Sequence, residues 1–334
     1  MPENKEYKAL VVEEHENGDF SRAIKNCMVK DLPQGDVLIK VSYSSLNYKD
    51  ALSASGNKGV TRKYPHTPGI DACGIVEKSD SEKFSPGDKV IVTSYDLGMN
   101  TSGGFGEYIR VPSEWIVPLP DEMSLKESMI YGTAGFTAAL SILKLTEHGI
   151  TPDMGTILVT GASGGVGSLA VLILKKIGYT VTGVCGPNDE KEHIKSLGAE
   201  NALTSEEFIQ DGKSPLLKAQ WAGVIETVGG QVLETAIKSA NQHSIITSCG
   251  NILSPKINLT VFPFIIRGVT LAGIDSQSCP MDYRAKTWNL LAKEWKIPEF
   301  EKITKEINLD QLEDEIQIML EGKGKGRKIL SHMI

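Results

Sequence analysis

The apolar positions of this chain change their period partway along it. Over residues 7 to 130 they come in short runs, Tyr7–Val12, Asp36–Ser42, Ile70–Val76, Lys89–Thr93 and Glu107–Val111, separated by Gly, Pro and Asn/Asp. Runs of this length and spacing predict strands of a partly closed antiparallel barrel rather than alternating βα units. Residues 47 to 53, NYKDALS, are the exception and predict a short helix. From Ser124 the period lengthens. SLKESMIYGTAGFTAALSILKL reads as helix, with Ser124 as N-cap and Glu127 three residues on, as in a capping box. The small residues Gly132-Thr133-Ala134-Gly135 inside it allow close packing, or a ligand near the backbone.

Residues 155 to 184 hold the most informative pattern. A β-branched run, Ile157 to Thr160, leads into Gly161-Ala162-Ser163-Gly164-Gly165-Val166-Gly167. Val166, Ala170, Ile173 and Ile177 then recur at helical spacing, Gly178 stops the helix, and a second strand follows from Thr180 to Val184. Strand, glycine turn, helix, strand is the dinucleotide-binding unit. The turn must be tight, and backbone N–H groups must reach a pyrophosphate with no side chain between, at a helix N-terminus whose partial charge is positive. Ala162-x-Gly164-x-x-Gly167 varies the usual glycine spacing, but strand and helix stand where the motif needs them. Further strands at Val181–Val184, Val224–Val228, Ser244–Ser248 and Thr270–Ile274, with helical stretches at Glu190–Leu197 and Gln231–Ser239, predict a doubly wound parallel sheet. An amphipathic segment, Met281–Lys296, and a final apolar run, Lys328–Ile334, follow. The tail is free to fold back onto the β-rich part.

Composition narrows the class. At 334 residues, two domains are expected. A net charge of −7 argues against nucleic acid as a partner, and no apolar stretch reaches the ~20 residues of a membrane span. The charged N-terminus is no secretory signal. Five scattered cysteines with no C-x-x-C pair fit free thiols in a reducing cytoplasm.

Six separated motifs, in order, carry a resemblance. They are Ser44 to Asp50, Pro68 to Asp71, Tyr131 to Ala138, the glycine turn, Val228-Gly229-Gly230, and Pro263-Phe264 through Gly273-Ile274-Asp275-Ser276. Along its whole length the chain resembles the medium-chain dehydrogenase/reductase superfamily. Within it, the chain is similar to the zinc-free quinone-oxidoreductase branch and its bacterial acrylyl-CoA reductase family. The resemblance implies an α/β protein with a GroES-like β-barrel catalytic domain and a doubly wound Rossmann domain. Expected boundaries are 1–128 for the first part of the catalytic domain, 129–274 for the Rossmann domain, and 275–334 for the return.

Zinc-dependent relatives carry Cys near position 47, Gly-His-Glu near 69 and a four-cysteine loop near 95 to 110. Here these read Asn47, Gly69-Ile70-Asp71 and YDLGMNTSGGFGEYIR, and the six histidines form no cluster, so no metal is expected. Without zinc, the resemblance implies NADPH-dependent hydride addition to the activated C=C of an α,β-unsaturated thioester or ketone. Alternatives are an NADPH:quinone oxidoreductase and a non-catalytic NADPH-binding redox sensor. Tyr48 is the candidate proton donor beside the nicotinamide, or else only packs and positions the cofactor. Asn47 either bonds the substrate carbonyl or nicotinamide ribose, or caps the helix. Asp50 and Asp71 read as structural, bonding backbone or Arg/Lys.

An NAD-specific fold puts an acidic residue at the end of the second strand. Val184-Cys185-Gly186-Pro187-Asn188 has none there, with Asp189 and Glu190 later, so NADP(H) is favoured. Relatives often have Ser-Gly-Arg at 185 to 187, the Arg gripping the 2′-phosphate. Cys185-Gly186-Pro187 offers no cation, leaving backbone N–H groups, Asn188, Lys191 or Ser205. The implied cofactor contacts are Tyr48, Thr133, Ser163, Gly164, Gly165, Val166, Cys185, Gly186, Pro187, Ser205, Asn251, Ile265, Ser276 and Gly322. The strand Thr270–Ile274 is expected to pair edge to edge in a homodimer.

Overall fold

The computed structural model describes residues 2–186, 191–209, 214–298 and 300–333. In chain order the strands are β1 (Glu6–Glu14), β2 (Phe20–Met28), β3 (Val37–Leu46), β4 (Asp71–Ser79), β5 (Lys89–Thr93), β6 (Tyr108–Val111), β7 (Ile116–Pro118), β8 (Ile157–Thr160), β9 (Val181–Cys185), β10 (Asn201–Thr204), β11 (Trp221–Glu226), β12 (Ala240–Ser248), β13 (Thr270–Gly273), β14 (Thr304–Ile307) and β15 (Arg327–Ser331). The helices are α1 (Tyr48–Ala54), α2 (Leu125–Glu147), α3 (Gly165–Lys176), α4 (Lys191–Leu197), α5 (Ser205–Phe208), α6 (Gly230–Lys238), α7 (Phe262–Arg267), α8 (Met281–Ala292) and α9 (Leu312–Leu320). The chain divides into two compact units, one of Met1–Thr133, Gln277–Ala292 and Ile303–Ile334, the other of Ala134–Ser276 and Lys293–Lys302.

The first unit is built on a seven-stranded sheet in the order β14-β15-β3-β4-β5-β7, with β6 also on β3, and a separate β1-β2 hairpin. All pairings are antiparallel except β14 with β15. Alternation along β3, β4 and β5 turns Val37, Ile39, Val41, Ala72, Val76, Val90 and Val92 into one core, closed by Ile109 and Val111. The tail does fold back. β15 pairs with β3, Lys328 opposite Leu46, and Leu330 joins Leu46, Ala51 of α1, and Leu312 and Ile316 of α9 in a second core. The C-terminal pairing thereby fixes the start of α1, which directly follows β3.

The second unit is a six-stranded parallel sheet in the order β10-β9-β8-β11-β12-β13. The first strand in sequence, β8, lies in the middle, and the order runs outward on both sides of it. The crevice between the C-terminal ends of β8 and β11 is therefore the topological switch point, where such sheets bind ligands. Strands β8, β9 and β11 are buried along their whole length, as a parallel sheet covered by helices requires.

Two expectations change. Among the described residues one helix, α2, is long and apolar enough to cross a membrane, although 83% of its apolar window is buried within the protein. It is a core helix, and it is broken at Gly132 (φ 51°, ψ −156°). The exposed hairpin strand β2, the short β10 and β14, and α9 were not anticipated from the apolar pattern.

Candidate active site

In the first unit, the polar residues of the Ser44–Asp50 and Pro68–Asp71 motifs meet the end of the chain. Asp71 is fully buried and accepts four hydrogen bonds. Its Oδ2 takes Ser45 Oγ at 2.6 Å, Asn47 Nδ2 at 2.8 Å and the Thr133 backbone N–H at 2.9 Å, and its Oδ1 takes Thr133 Oγ1 at 2.6 Å. Ser94 Oγ lies 2.9 Å from Thr133 Oγ1. Because the threonine proton goes to a carboxylate that can only accept, Ser94 is the donor of that pair. Gly132 makes this geometry possible. A left-handed backbone there turns the Thr133 N–H onto Asp71, and a Cβ would fall 2.4 Å from Asp71 Oδ2.

Arg327, 2% exposed at the head of β15, supplies the cluster's positive charge. Its Nε donates to Ile130 O at 2.9 Å, Nη1 to Asn47 Oδ1 at 3.1 Å and Nη2 to Ser45 Oγ at 2.9 Å, with Asp71 Oδ2 3.9 Å away. Asp50, also fully buried, accepts from the backbone N–H groups of Asn47 (2.8 Å), Gly69 (3.1 Å) and Ile70 (2.7 Å). Burial, and next the negative Asp71, push its carboxyl up to about 7 against the hydrogen bonds from Asn47 and Ile70. Arg327 acts on both carboxyl groups, and the buried Arg284 of α8 adds a second positive charge acting on Asp71.

The expected cap at Asn47 is present as a capping box with Asp50, although the Asn47 side chain lies beyond full hydrogen-bond geometry to the helix. Asp50 accepts from the Asn47 N–H at 2.8 Å, and the Asn47 side chain faces the Asp50 N–H in return. The Asn47 amide nitrogen donates to Asp71 Oδ2 at 2.8 Å and Ser45 O at 3.2 Å, and lies 3.4 Å from Asp50 Oδ2. Asn47 thus keeps acceptor capacity on Oδ1 and no spare donor. Tyr48, the first residue of α1, is 46% exposed.

In the second unit, the glycine turn lies at the switch point. Gly161 (φ 58°) leaves no room for a side chain, since a Cβ would stand 2.3 Å from Thr227 Oγ1. Gly167 seats α3 against the turn, a Cβ there meeting Gly161 O at 2.2 Å. Gly164 is the N-cap of α3 and offers no side-chain cap, so the first N–H groups of the helix point out of a turn whose residues Ser163 to Val166 are partly exposed. This cradle fits a pyrophosphate. Beneath it, Glu226 at the end of β11 is fully buried. Its Oε1 accepts from Val228 N (2.7 Å), Gly229 N (2.6 Å) and Thr160 Oγ1 (3.3 Å), and its Oε2 from Ser248 Oγ (3.3 Å). Burial raises its carboxyl above the usual range.

Other expected contacts divide. Ser205 Oγ donates to Cys185 O at 2.8 Å, joining the ends of β9 and β10, and Lys191 is paired with Glu207 at 2.6 Å. Pro187, Asn188, Asp189 and Glu190 lie outside the described residues. Asn251 borders a cavity of about 550 Å³ with Ser248, Cys249, Gly250, Gly273, Ile274 and Asp275, and Ser276 follows directly. Ile265 sits apart on α7, 71% exposed. Gly322 (φ 72°) ends α9, its N–H on Met319 O, and has open space around it. Glu226 escaped the sequence reading, and Ser45, Gly132 and Arg327 stood in motifs or runs without the roles they have here. A lone charge at the edge of an apolar strand, as in WAGVIE and RKILS, was the available signal for two of them.

Residues 33–121 match the alcohol dehydrogenase GroES-like domain, and residues 165–293 the zinc-binding dehydrogenase domain. The acrylyl-CoA reductase AcuI of Ruegeria pomeroyi is 38% identical over 325 residues, covering 97% of this chain and 98% of its own. The chain belongs to the medium-chain dehydrogenase/reductase superfamily. Two solved superfamily structures are similar throughout. Bacillus subtilis YhfP with NAD bound is 40% identical with a TM-score of 0.95, covering 98% of this chain and 100% of its own. Escherichia coli YhdH with bound NADPH is 38% identical with a TM-score of 0.93, covering 97% and 99%. The YhfP protein carries the provisional name of a quinone oxidoreductase.

The name of the second matched domain raises the question of zinc. Positions 47 and 69–71 of this superfamily member offer no thiolate or imidazole, Asp71 is saturated by four donors, and the cation beside it is Arg327. Among the described residues no three His, Cys, Asp or Glu side chains gather as ligands would. The residues do not fit zinc, and no step below is assigned to a metal.

Proposed function

We propose that this oxidoreductase is an NADPH-dependent reductase of the activated C=C of an α,β-unsaturated thioester or ketone of the acrylyl-CoA kind. The observation that carries the reading is the uncapped start of α3 behind the glycine turn, at the switch point of a superfamily member similar to AcuI over nearly its whole length. NADPH, when bound, supplies the hydride. The N–H groups of Ser163 to Val166 hold the pyrophosphate, and Glu226 keeps the neighbouring turn at Val228-Gly229 in place. No acidic residue stands at Cys185-Gly186 to receive a ribose 2′-hydroxyl, which favours the phosphorylated cofactor. Tyr48 faces solvent from the start of α1 and is the candidate donor of the proton to the α-carbon. Asn47 acts as an acceptor, toward a ribose or substrate hydroxyl, and not as a donor to a carbonyl.

The test is oxidation of NADPH with acrylyl-CoA, with NADH and a benzoquinone in parallel, on the wild type and Tyr48→Phe. Turnover of acrylyl-CoA with NADPH, lowered about 10²-fold or more in Tyr48→Phe, is expected. Unchanged kcat in that variant removes Tyr48 as donor. Turnover of the quinone alone moves the protein to the quinone reductases, the reading favoured by the name of YhfP. Cofactor binding without turnover of any acceptor makes it a binding protein.

A further inference from the structure

Arg327 is almost fully buried, and all three of its nitrogens have partners in or beside the site. Its Nη1 and Nη2 reach Asn47 and Ser45, which both donate to Asp71, and its Nε holds Ile130 O two residues before the break at Gly132. A guanidinium only donates and a carboxylate only accepts. An amide between the two has one satisfied orientation, oxygen toward Arg327 and nitrogen toward Asp71. Rotating it by half a turn would set N–H against N–H and oxygen against oxygen.

We infer that Arg327 is a positioning residue of this site: it holds the Asn47 carboxamide in that one orientation and thereby fixes the start of the helix that carries Tyr48. The role of Tyr48 rests on the proposed reduction; the clamp itself does not. Asn47 precedes Tyr48 directly, and both its backbone N–H and its side chain are tied down, to Asp50 and to Asp71 with Arg327. Every element that meets there contributes one group. β3 and the residue after it give Ser45 and Asn47, α1 gives Asp50, β4 gives Asp71, α2 gives Thr133, the turn after β5 gives Ser94, and β15 gives Arg327. The charged groups at the cluster are Asp50, Asp71 and Arg327, with Arg284 of α8 also acting on Asp71. Removing Arg327 therefore takes away the attraction that offsets the repulsion between the two carboxyl groups and makes Asp50 harder to ionise. Protonated Asp50 presents a poorer acceptor to the Asn47, Gly69 and Ile70 N–H groups, which loosens the same helix start.

The experiment compares full-length Arg327→Met and Arg327→Lys with the wild type. It measures kcat and KM for NADPH across pH with the acceptor that the wild type reduces best. In the protein without cofactor it measures the infrared band of protonated carboxyl groups against pH, with amide exchange over residues 47–51 and thermal melting. In Arg327→Met, kcat falls about 10- to 100-fold, the loss expected when reacting groups are misplaced by an ångström or less. KM for NADPH changes little, the acid limb of the kcat profile moves to higher pH, and the carboxyl titration moves with it. Lysine keeps the charge but, as a point donor, cannot hold Ser45, Asn47 and Ile130 together. Arg327→Lys therefore keeps the wild-type limb and loses kcat. Folded variants with wild-type kcat and limb overturn the inference. If Arg327→Met does not fold, Arg327→Lys decides: lowered kcat at unchanged melting supports the clamp, and wild-type kcat overturns it. If the wild type reduces no acceptor, the proposed function falls by itself. The clamp is then judged on the titration and the exchange, and it is overturned when neither moves.

Discussion

Replacing Gly132 by alanine puts a methyl group into the hydrogen-bonded cluster of the first unit. The added Cβ would stand 2.4 Å from Asp71 Oδ2, 2.5 Å from Ser45 Oγ and 2.7 Å from Arg327 Nη2. These atoms belong to buried side chains bonded to one another, so none can step aside without breaking a hydrogen bond. Three costs combine. The backbone (φ 51°, ψ −156°) is one that L side chains rarely adopt, at about 1–3 kcal/mol. Overpacking costs about 1–3 kcal/mol. Losing one charge-assisted hydrogen bond costs about 1.5–3 kcal/mol. These overlap, and a total of about 3–6 kcal/mol is a large part of the ~5–15 kcal/mol that holds a domain together. At roughly 2–4 °C per kcal/mol for a cooperative unit of this size, the melting temperature should fall by about 6–24 °C. Scanning calorimetry is the assay, because two units can melt separately. Gly87→Ala is the control: Gly87 is in the same unit with φ 97°, and its Cβ would meet nothing within 4 Å. It carries the backbone cost without the collision. If Gly132→Ala melted within about 2 °C of Gly87→Ala, the packing around Asp71 would be wrong as described.

Two further outcomes are expected. Asp50 has a folded-state pKa raised to about 7. Burial and Asp71 oppose its ionisation more than its N–H donors favour it, so the fold as a whole favours the protonated form, although those hydrogen bonds are firmer to the anion. That stabilisation is complete below the ordinary aspartate range and is lost as pH rises through about 7, a change on the order of a few kcal/mol. Denaturant unfolding of wild type minus Asp50→Asn should show the decline between about pH 4 and 7; a flat difference would mean that Asp50 ionises normally. The second concerns assembly. β13 is an edge strand, and Leu271 on it, with Val261, Phe262, Ile265 and Ile266 close by in sequence, is exposed at 38 to 71%. An unpaired edge beside this much apolar surface favours a second copy of the chain. Sedimentation should give a dimer that Ile265→Asp with Leu271→Asp dissociates, and a wild-type monomer at micromolar concentration would refute it.

The parts of the molecule that were legible in the sequence are those that repeat a local rule. Ile157 to Val184 announces its own turn because every residue in it has a job within thirty positions. β2 hides because FSRAIKNCM is largely exposed in a two-stranded hairpin, so no face of it is forced to be apolar. The α2 break was hidden for the opposite reason. Gly132 sits in a run of good helix formers, and what breaks the helix is a carboxylate more than sixty residues earlier. Asn47 read equally well as a cap or as a ligand contact, and only the positions of Asp71 and Arg327 show where its amide points. Nothing near residue 327 marks Arg327 as buried, since the register of β15 on β3, which buries it, is not encoded locally.

That register also has a consequence for how the molecule is made. Asp50, Asp71, Asn47 and Thr133 all lie before residue 134, and the guanidinium that bonds Asn47 and Ser45 beside Asp71 arrives at 327. At ~5–20 residues per second, roughly 10–40 s of translation separates Thr133 from Arg327. During that time the ribosome delivers the whole second unit, while the first holds two carboxyl groups without their counter-ion and a β3 edge without its partner. The first unit to begin is thus the last to close. A nascent-chain intermediate with a formed parallel sheet and an open acidic pocket is the form a chaperone would meet.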